Sequence, residues 1–439
     1  MATYIASYII SNVDSEFNKG RVVWLSAAAL ASQGVFMPMG GLLAPKLGVR
    51  LVVIIGSVIN SGIYMLTYFA IQKGFIYVLL THVGSLGLGI GLSYSVVMQT
   101  ASSWFPEHSG LIVGLIAAGF GLGAFVFTPI QLKYVNPNNI AVNNETRLFD
   151  DPEVLGRIPM SYLIIGGIMC GLQLIGCLIL RKKPSKKNEE KDMATTLSLE
   201  GKSLDELETT SDSLCDSENP DAYEKMGIME LGPKKVLRCR YFYLLWLLMF
   251  CNIIPITLLT SVYKLVGQEH INDDTFLSTI ATLSSLFNSL GRVFWGFLVD
   301  RLSFKIPICT MLILWSTALF VFPNVFYWKA AEMYLYGIVV CLMFFAMSGV
   351  FGIMPAATRI LFGHENMATN YGMVFSAFSV GSILSALASQ YAKGAWTELF
   401  YASGGVCILA LFVIIWIFDP QLPKRCRPFC FCARTDYRR

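Results

Sequence analysis

Long apolar runs, separated by short polar stretches, dominate the pattern along the chain. A helix needs about 20 mostly apolar residues to cross the hydrocarbon core of a bilayer. Eleven runs are close to this length, and each predicts a membrane-spanning helix. The runs are Val22–Pro45, Leu51–Ala70, Phe75–Met98, Gly110–Ile130, Met160–Leu180, Tyr241–Tyr263, Phe276–Val299, Ile306–Phe322, Met333–Pro355, Tyr371–Tyr391 and Leu399–Phe418.

Two segments break this pattern. Residues 181–240 are charged and serine-rich without apolar periodicity, which predicts a disordered linker between two membrane halves. The first ten residues, MATYIASYII, are apolar but too short to span a bilayer. They also lack the basic start and cleavage site of a signal peptide. We interpret them as the stub of a helix whose beginning, roughly a dozen residues or more, is missing.

Composition supports a membrane protein. Hydrophobic residues make up 55% of the chain and charged residues 14%, against about 25% charged in soluble domains. This balance excludes a disordered protein, a nucleic-acid binder and an ordinary soluble enzyme. The chain has no Walker A motif, no HExxH and no paired-cysteine metal spacing. We therefore predict no enzymatic activity, no cofactor and no metal.

The basic residues predict an orientation. If the linker is cytoplasmic, 23 of the 33 Lys and Arg fall on the cytoplasmic side, 9 on the opposite side, and Arg292 within a span. This asymmetry agrees with the positive-inside rule and places the C-terminal tail, residues 419–439, in the cytoplasm. We expect a multi-pass protein of a eukaryotic plasma membrane. The linker run TSDSLCDSENPD can take phosphates or bind a cytosolic partner, or be merely solvated.

Two modification sites follow from this orientation. Asn144, in the sequon Asn144-Glu145-Thr146, would lie outside, where it can be glycosylated. A chance sequon is the alternative. In the tail, Cys426, Cys430 and Cys432 stand beside basic residues and are candidates for acylation at the inner leaflet, against the alternative of inert cysteines.

An internal repeat divides the chain. The loop GLLAPKLGVR, Gly41 to Arg50, is matched 255 residues later by GFLVDRLSFK, Gly296 to Lys305. WFPEHSGLIVG is matched by LFGHENMATNYG at an offset of 257–258. Such a repeat indicates a duplicated helical bundle. We assign residues 1–180 to the first half and 241–418 to the second.

These features resemble the major facilitator superfamily, whose members have two halves of six helices with a basic, glycine-containing loop after the second helix of each. The runs SSWFPEHSGLIVG, GFGLGAFVFTP, FDDPEVLGRIP, NSLGRVFWGFLVDR, PAATRILFG and NYGMVFSAF resemble its oxalate/formate antiporter branch, next to the monocarboxylate transporters. The resemblance covers nearly all of the chain except the linker and tail. It implies an all-α membrane protein with the major facilitator fold and two pseudo-symmetric six-helix halves, here eleven full spans and the stub.

Arg292 is the foremost candidate for binding a substrate. Burying a guanidinium mid-membrane costs about 2.5–3.5 kcal/mol even on the milder scale, and no acidic residue lies within a turn of it on its own helix. Arg binds carboxylates through a two-pronged fork, and both resembling families carry a substrate-binding Arg in this helix. The alternatives are an acid on another helix, or snorkelling of the side chain towards the cytoplasmic loop.

Two departures from these families affect the expected substrate. Monocarboxylate transporters carry an Asp four residues before this Arg, where Asn288 stands here and cannot titrate. The antiporters use a second cation, a Lys, at the position of Phe378. One cation instead of two favours a monocarboxylate over a dicarboxylate. We include Asn288 among the substrate-binding candidates.

Three further polar residues lie within predicted spans. His82 can accept a coupling proton or remain a neutral, hydrogen-bonded histidine. Tyr94, in GLGIGLSY, can donate to a carboxylate or serve in packing, and the glycines of that run are expected to allow close helix packing. Gln33 needs a partner on another helix or a ligand, and the resembling antiporters place a ligand-contacting Gln in this helix.

The short loops predict parts of a cytoplasmic gate. Asp300 and Arg301 can cap helix ends and pair across the closed gate. In the first half, Pro45 stands where the superfamily usually has Asp, so we expect Lys46 and Arg50 to act there alone. Tyr371 opens a span near the cytoplasmic end, where gating or interface anchoring is expected.

The sequence therefore predicts a secondary active transporter of small organic anions, most simply monocarboxylates, working by alternating access. A proton or a counter-anion would be the transported partner. A non-transporting sensor or adaptor, or an inactive truncated isoform, is the alternative reading, because helix 1 is incomplete and the gate residues are altered.

Overall fold

The chain folds into a bundle of long helices. The computed structural model describes residues 2–138, 140, 143, 148–183, 230–271, 273–391 and 395–416. Its helices are α1 (Ala2–Asn12), α2 (Val23–Leu47), α3 (Val49–Lys73), α4 (Phe75–His82, Val83–Ile90 and Gly91–Trp104 in succession), α5 (Ser109–Val135), α6 (Pro152–Ile179), α7 (Arg240–His270), α8 (Asp274–Leu302), α9 (Lys305–Val321), α10 (Glu332–Phe362), α11 (Met367–Phe375 and Ala377–Tyr391) and α12 (Trp396–Trp416). Short helices at Lys19–Val22, Pro106–His108, Pro233–Val236 and Phe322–Tyr327 occupy the connections.

Within the described residues, the predicted membrane runs coincide with helices α2 to α12 apart from the end residues Val22, Leu180 and Phe322, and several helices extend beyond the apolar run. The clearest extension is α6, which begins at Pro152 rather than at Met160. Asp151 caps this start by accepting hydrogen bonds from the backbone N–H groups of Glu153 and Val154. A capping Asp followed by Pro at the first helical position is a strong start signal. Hydropathy misses it because the first turns of the helix are polar.

Among the described helices, ten are long and apolar enough to cross a membrane. The predicted span Phe276–Val299, in α8, is outside this set although α8 has 29 residues. Polar residues, Asn288 and Arg292 among them, interrupt its apolar sequence. Helix α8 nevertheless packs between α5 and α10, within the bundle. The chain is thus an integral, multi-pass, all-α membrane protein.

The two halves contact each other mainly through two helix pairs, with smaller contacts between α5 and α10 and between α4 and α11. Within the first half α3 packs on α6 and α2 on α4, and within the second half α8 packs on α10, α9 on α12, and α7 on α11. Across the halves, α5 packs on α8 and α2 on α11. On the outside, apolar residues such as Leu178 and Ile179 are 72% and 74% exposed. An apolar exterior of this kind is the surface that lipid covers.

The internal repeat is visible in the backbone. Gly48, after α2, has φ = 87° and Ser303, after α8, has φ = 64°. The two positions are 255 residues apart, which is the period that the loop sequences predict. A left-handed residue ends both helices, although only the first half has the glycine that favours it. The repeat is therefore confirmed in the conformation of these loops.

The N-terminal apolar segment forms helix α1. Tyr4, Ile5 and Ile9 are buried, and α1 packs against α3 and α6. The Tyr4 ring stacks on Phe149 with centroids 4.3 Å apart, and the Ser7 hydroxyl accepts a hydrogen bond of 2.9 Å from the Phe149 backbone N–H. The segment is thus an integral part of the first half.

Three sequence predictions fall outside the described residues. They concern residues 184–229 of the linker predicted at residues 181–240, the sequon at Asn144, and the tail cysteines Cys426, Cys430 and Cys432. Each of them stays a prediction.

Glycines set the distance between α5 and α8. A Cβ added at Gly114 would lie 2.5 Å from the carbonyl oxygen of Arg292, and one at Gly110 would lie 2.5 Å from the carbonyl oxygen of Gly296. No side chain other than hydrogen fits at that separation. The small residues allow the two backbones to approach closely, as membrane helix pairs often do.

We predict that Gly114→Ala destabilises the protein while Gly119→Ala does not. The added methyl at residue 114 must displace the α8 backbone, at a cost of about 1–3 kcal/mol. Gly119 lies on the same helix with nothing within 4 Å of an added Cβ, so alanine there should stabilise by roughly 0.5–1 kcal/mol through helix propensity. Thermal unfolding of the detergent-purified variants measures both. Equal midpoints for the two variants would contradict the close contact.

Candidate functional site

Arg292 lies at the interface between the halves and is 4% exposed. Its Nε donates to the Asn288 side-chain oxygen at 2.9 Å, and its Nη1 donates to the Ala117 carbonyl at 2.9 Å. Ala117 belongs to α5 of the first half, and the glycine contacts of α5 bring its backbone within reach. One guanidinium is therefore held by an amide of its own helix and by a carbonyl of the other half.

The charge of Arg292 is not neutralised by the residues around it. Its two hydrogen-bond acceptors are neutral oxygens, and among the residues that the structure describes no carboxylate forms an ion pair with it. Tyr94 and Tyr371 interact electrostatically with the guanidinium, and both are neutral phenols. A buried cation without a counter-charge is costly to maintain and is an attractive position for an anion.

Aromatic rings surround the guanidinium. Its Cζ lies 4.3 Å from the ring centroid of Phe351 and 5.6 Å from that of Phe120. The Phe378 ring is 5.7 Å from Phe351 and stacks on Phe375 at 4.2 Å. Cation–π contacts with the ring faces partly stabilise the positive charge without neutralising it. At the position where the resembling antiporters carry a second cation, the site therefore presents the Phe378 ring.

The side chain of Asn288 is hydrogen-bonded to the Arg292 guanidinium. Its amide oxygen accepts the Nε–H bond one turn before Arg292 on the same helix. An amide orients the guanidinium without supplying a negative charge, as an Asp would. Asn288 is thus placed at the predicted site as an orienting residue.

Helix α4 is irregular before its midpoint. Residues Val83–Ile90 form a π-helical segment, a conformation that often marks functional sites. Within and just after it, added Cβ atoms at Gly89 and Gly91 would meet Asn60 of α3 and Phe36 of α2 at 2.6 and 3.0 Å. The expected close packing of the glycines is confirmed.

The described contacts of His82 and Gln33 do not include Arg292. His82 precedes the π segment, and its Nδ1 is 2.9 Å from the Val78 carbonyl. By the helical rise it is about 18 Å along α4 from Tyr94. Gln33 is buried on α2 facing the glycines of α4, and the described contacts do not join its side chain to Arg292. Their substrate roles stay predictions.

The first predicted gate residue bridges the halves on the linker side, the side where α6 ends and α7 begins. The backbone N–H groups of Gly110 and Leu111 donate to the two carboxylate oxygens of Asp300, each at 2.8 Å. Asp300 of the second half therefore caps the N-terminus of α5 in the first half, where a negative charge is favoured by the helix dipole. The cap joins the second half to the first, and the gating role of Asp300 stays a prediction.

Gln99 of the first half caps a helix of the second half, the reverse of the Asp300 contact. Sequence reasoning did not identify this residue. Its Oε1 accepts from the Ala368 N–H at 3.0 Å, at the start of α11. Its Nε2 donates to the carbonyls of His364 and Glu365 at 3.0 and 2.6 Å. Pro45 was the available sign of this contact. The superfamily usually has Asp at that position, so with Pro45 the N-terminus of α11 needs another hydrogen-bond acceptor.

Two more contacts lie on the linker side, one between the halves and one within the second half. Arg359 at the end of α10 donates to the Pro106 carbonyl at 3.1 Å. The Glu230 carboxylate, just before α7, accepts from the backbone N–H groups of His364 and Glu365 at 2.8 and 3.0 Å. Burial, together with the nearby Arg359 and Lys183, lowers the pKa of the His364 imidazole to about 4. The histidine is therefore neutral at cellular pH.

The remaining gate candidates occupy other places. Arg50 donates to the Leu178 carbonyl of its own half at 3.0 Å, and Lys46 is exposed. Arg301 lies over the Phe297 ring of its own helix, 5.3 Å from the centroid. The described hydrogen bond of Arg50 stays within its half, and the gating roles of Lys46, Arg50 and Arg301 stay predictions.

Sequence reasoning identified the cation but not its surroundings. Phe120 and Phe351 are ordinary apolar positions in their runs, and Ala117 contributes a backbone atom that no side-chain pattern indicates. The one available signal was the glycine spacing of GLIVG and GFGLG in α5, which predicts that another backbone lies close to this helix.

The chain is similar in sequence to a known family and to several characterised proteins. A profile described as "Major Facilitator Superfamily" matches residues 1–204 and 245–428. Apicoplast pyruvate carrier 1 of Toxoplasma gondii is 27% identical over 386 residues, covering 84% of this chain and 69% of that protein. The oxalate:formate antiporter of Oxalobacter formigenes is 21% identical, covering 89% and 80%. Human monocarboxylate transporter 14 is 22% identical, covering 84% and 76%.

Solved structures show a similar fold. The proton:xylose symporter XylE aligns with a TM-score of 0.68 at 13% identity, covering 95% of this chain and 93% of that one. The E. coli fucose:proton symporter FucP aligns with a TM-score of 0.60 at 14% identity, covering 95% of each chain. At these identities the similarity concerns the fold alone.

Proposed function

The chain belongs to the Major Facilitator Superfamily, and from this premise we propose that it is a secondary transporter of small organic anions whose substrates are monocarboxylates. It is a transporter rather than an enzyme. The observation that carries the substrate assignment is the Arg292 guanidinium, buried between the halves with two neutral oxygens as its hydrogen-bond acceptors.

A single carboxylate suits this site. Arg can donate two parallel hydrogen bonds to the two oxygens of a carboxylate. A second carboxylate on the same molecule would need a second cation, and the ring of Phe378 lies at the position where the resembling antiporters have one. The relatives are named for small carboxylates: a pyruvate carrier, an oxalate:formate antiporter and a monocarboxylate transporter.

The contacts of Arg292 suggest how binding is linked to movement. Nη1 is bonded to the Ala117 carbonyl of the other half, and a bound carboxylate would compete for this donor. Alternating access requires the halves to separate on the linker side, which breaks the helix caps made by Asp300 and Gln99. Substrate binding would thus exchange a bond between the halves for a bond to the ligand.

The non-transporting sensor is not favoured, because the relatives that match most of the chain are named as carriers or transporters. A proton or a counter-anion is the coupled ion of this proposal. His82 is its proton acceptor, a role supported by its intramembrane position beside the π segment.

Cellular location and sidedness are part of the proposal. We assign the protein to the plasma membrane with the linker and the C-terminal tail in the cytoplasm. The support is the charge asymmetry, with 23 of 33 Lys and Arg on the linker side or in the tail. A cytosolic partner of the linker and acylation of Cys426, Cys430 and Cys432 are compatible with this placement.

We predict that Arg292→Gln abolishes carboxylate uptake. The variant keeps a shorter, hydrogen-bonding side chain but removes the charge, so affinity should fall at least a hundredfold, since charged hydrogen bonds contribute about 1.5–3 kcal/mol each. Uptake of radiolabelled lactate, pyruvate, formate and oxalate into proteoliposomes measures the effect. The matched control is Arg157→Gln, which removes a surface arginine that pairs with Glu153 at 3.3 Å.

If the wild type takes up a carboxylate and Arg292→Gln takes it up equally well, the site assignment is rejected. Absence of uptake by the wild type for every carboxylate tested, while a protein of this family is correctly reconstituted in parallel, would reject the transport function itself.

The orientation predicts that Asn144 is glycosylated in a eukaryotic cell. The wild-type protein should then shift to lower mass after endoglycosidase treatment, and Asn144→Gln should run at the lower mass without treatment. An epitope after Arg439 should be reached by antibody only in permeabilised cells. Access to that epitope in intact cells would contradict a cytoplasmic tail.

A further inference from the structure

The hydroxyl of Tyr371 is a buried polar group. The residue is 0% exposed, and its hydroxyl has no hydrogen-bond partner among the described residues. A buried hydroxyl without a partner loses its hydration and gains nothing in return. Such a group in a native structure calls for an explanation, and its surroundings decide which one applies.

The position of Tyr371 indicates what that partner is. The residue lies one turn into α11, closer to the linker side than Arg292, and it interacts electrostatically with both Arg292 and Tyr94. Its ring packs 5.8 Å from Phe375, which stacks on Phe378 in the aromatic wall around the guanidinium. The hydroxyl is therefore a hydrogen-bond donor at the edge of the anion site.

A gating role does not account for this hydroxyl. The contacts that join the halves on the linker side are made by Asp300, Gln99 and Arg359, and the Tyr371 hydroxyl contributes to none of them. The close approach of α11 to α2 at this level is made by the neighbouring Gly372, where an added Cβ would lie 2.6 Å from the Pro38 nitrogen.

We propose that the Tyr371 hydroxyl is a substrate-positioning group that donates a hydrogen bond to the carboxylate held by Arg292. This inference rests on the proposed function and adds a second donor to the site. Tyr94 comes from the first half and Tyr371 from the second, so a bound anion is held by phenols of both halves. The carboxylate then lies on the linker side of Arg292 and contacts both halves.

The test is Tyr371→Phe, which removes one oxygen atom. We expect the KM for carboxylate uptake into proteoliposomes to rise about tenfold or more, as for the loss of a hydrogen bond to a charged group, with the maximal rate changed less than twofold. The thermal shift that a saturating carboxylate produces in the wild type should shrink in parallel. The unfolding midpoint of the ligand-free variant should stay the same or rise.

Tyr162→Phe is the matched control. Tyr162 is 1% exposed and its hydroxyl likewise lacks a partner among the described residues, but it packs against Tyr64 on α3, 5.4 Å between ring centroids. The same oxygen removal there should leave KM unchanged.

Four outcomes decide the matter. A tenfold KM effect confined to Tyr371→Phe supports the proposal. An unchanged KM, or a fall in maximal rate at constant KM, overturns it and leaves carboxylate transport intact. Failure of Tyr371→Phe to fold would show a structural partner for the hydroxyl and would also overturn it. Absence of uptake by the wild type is instead the failure of the proposed function.

Discussion

The central constraint is one positive charge placed between two halves without a negative charge beside it. The free-energy cost of removing the guanidinium from water is partly offset here by hydrogen bonds to Asn288 and Ala117 and by the faces of two phenylalanine rings. All of these stabilise the charge, and none neutralises it. In the proposed function, the interface around Arg292 forms without ligand and still favours an anion, which is the requirement for a site that must bind and release.

The remaining architecture serves to hold this charge in place. The glycines of α5 let its backbone approach α8, so that a carbonyl of one half reaches the cation of the other. The linker side is closed by helix caps exchanged between the halves, Asp300 on α5 and Gln99 on α11. Such caps are neutral–charged or neutral–neutral contacts of modest energy. They can break and re-form as the halves rock, while the packing within each half persists.

The fold followed from the sequence because hydropathy and the 255-residue repeat are properties of whole segments. The cation was found in the same way, since an Arg in an apolar run stands out. Its surroundings were not predictable, because they combine a backbone carbonyl at Ala117 with rings from distant spans. Gln99 was missed since a lone amide near a helix end has many possible uses. It acquires its role only where Pro45 leaves α11 uncapped, which requires knowing that α4 and α11 meet.

Neutralising Arg292 without removing it tests the central claim most directly. Asn288→Asp places a carboxylate where an amide oxygen now lies 2.9 Å from Nε, whereas Asn288→Ala removes the contact and keeps the net charge. Equilibrium binding of a labelled monocarboxylate to the purified protein at neutral pH should weaken at least tenfold more in Asn288→Asp than in Asn288→Ala. Equal binding by the two variants would contradict the claim that an unneutralised guanidinium forms the anion site.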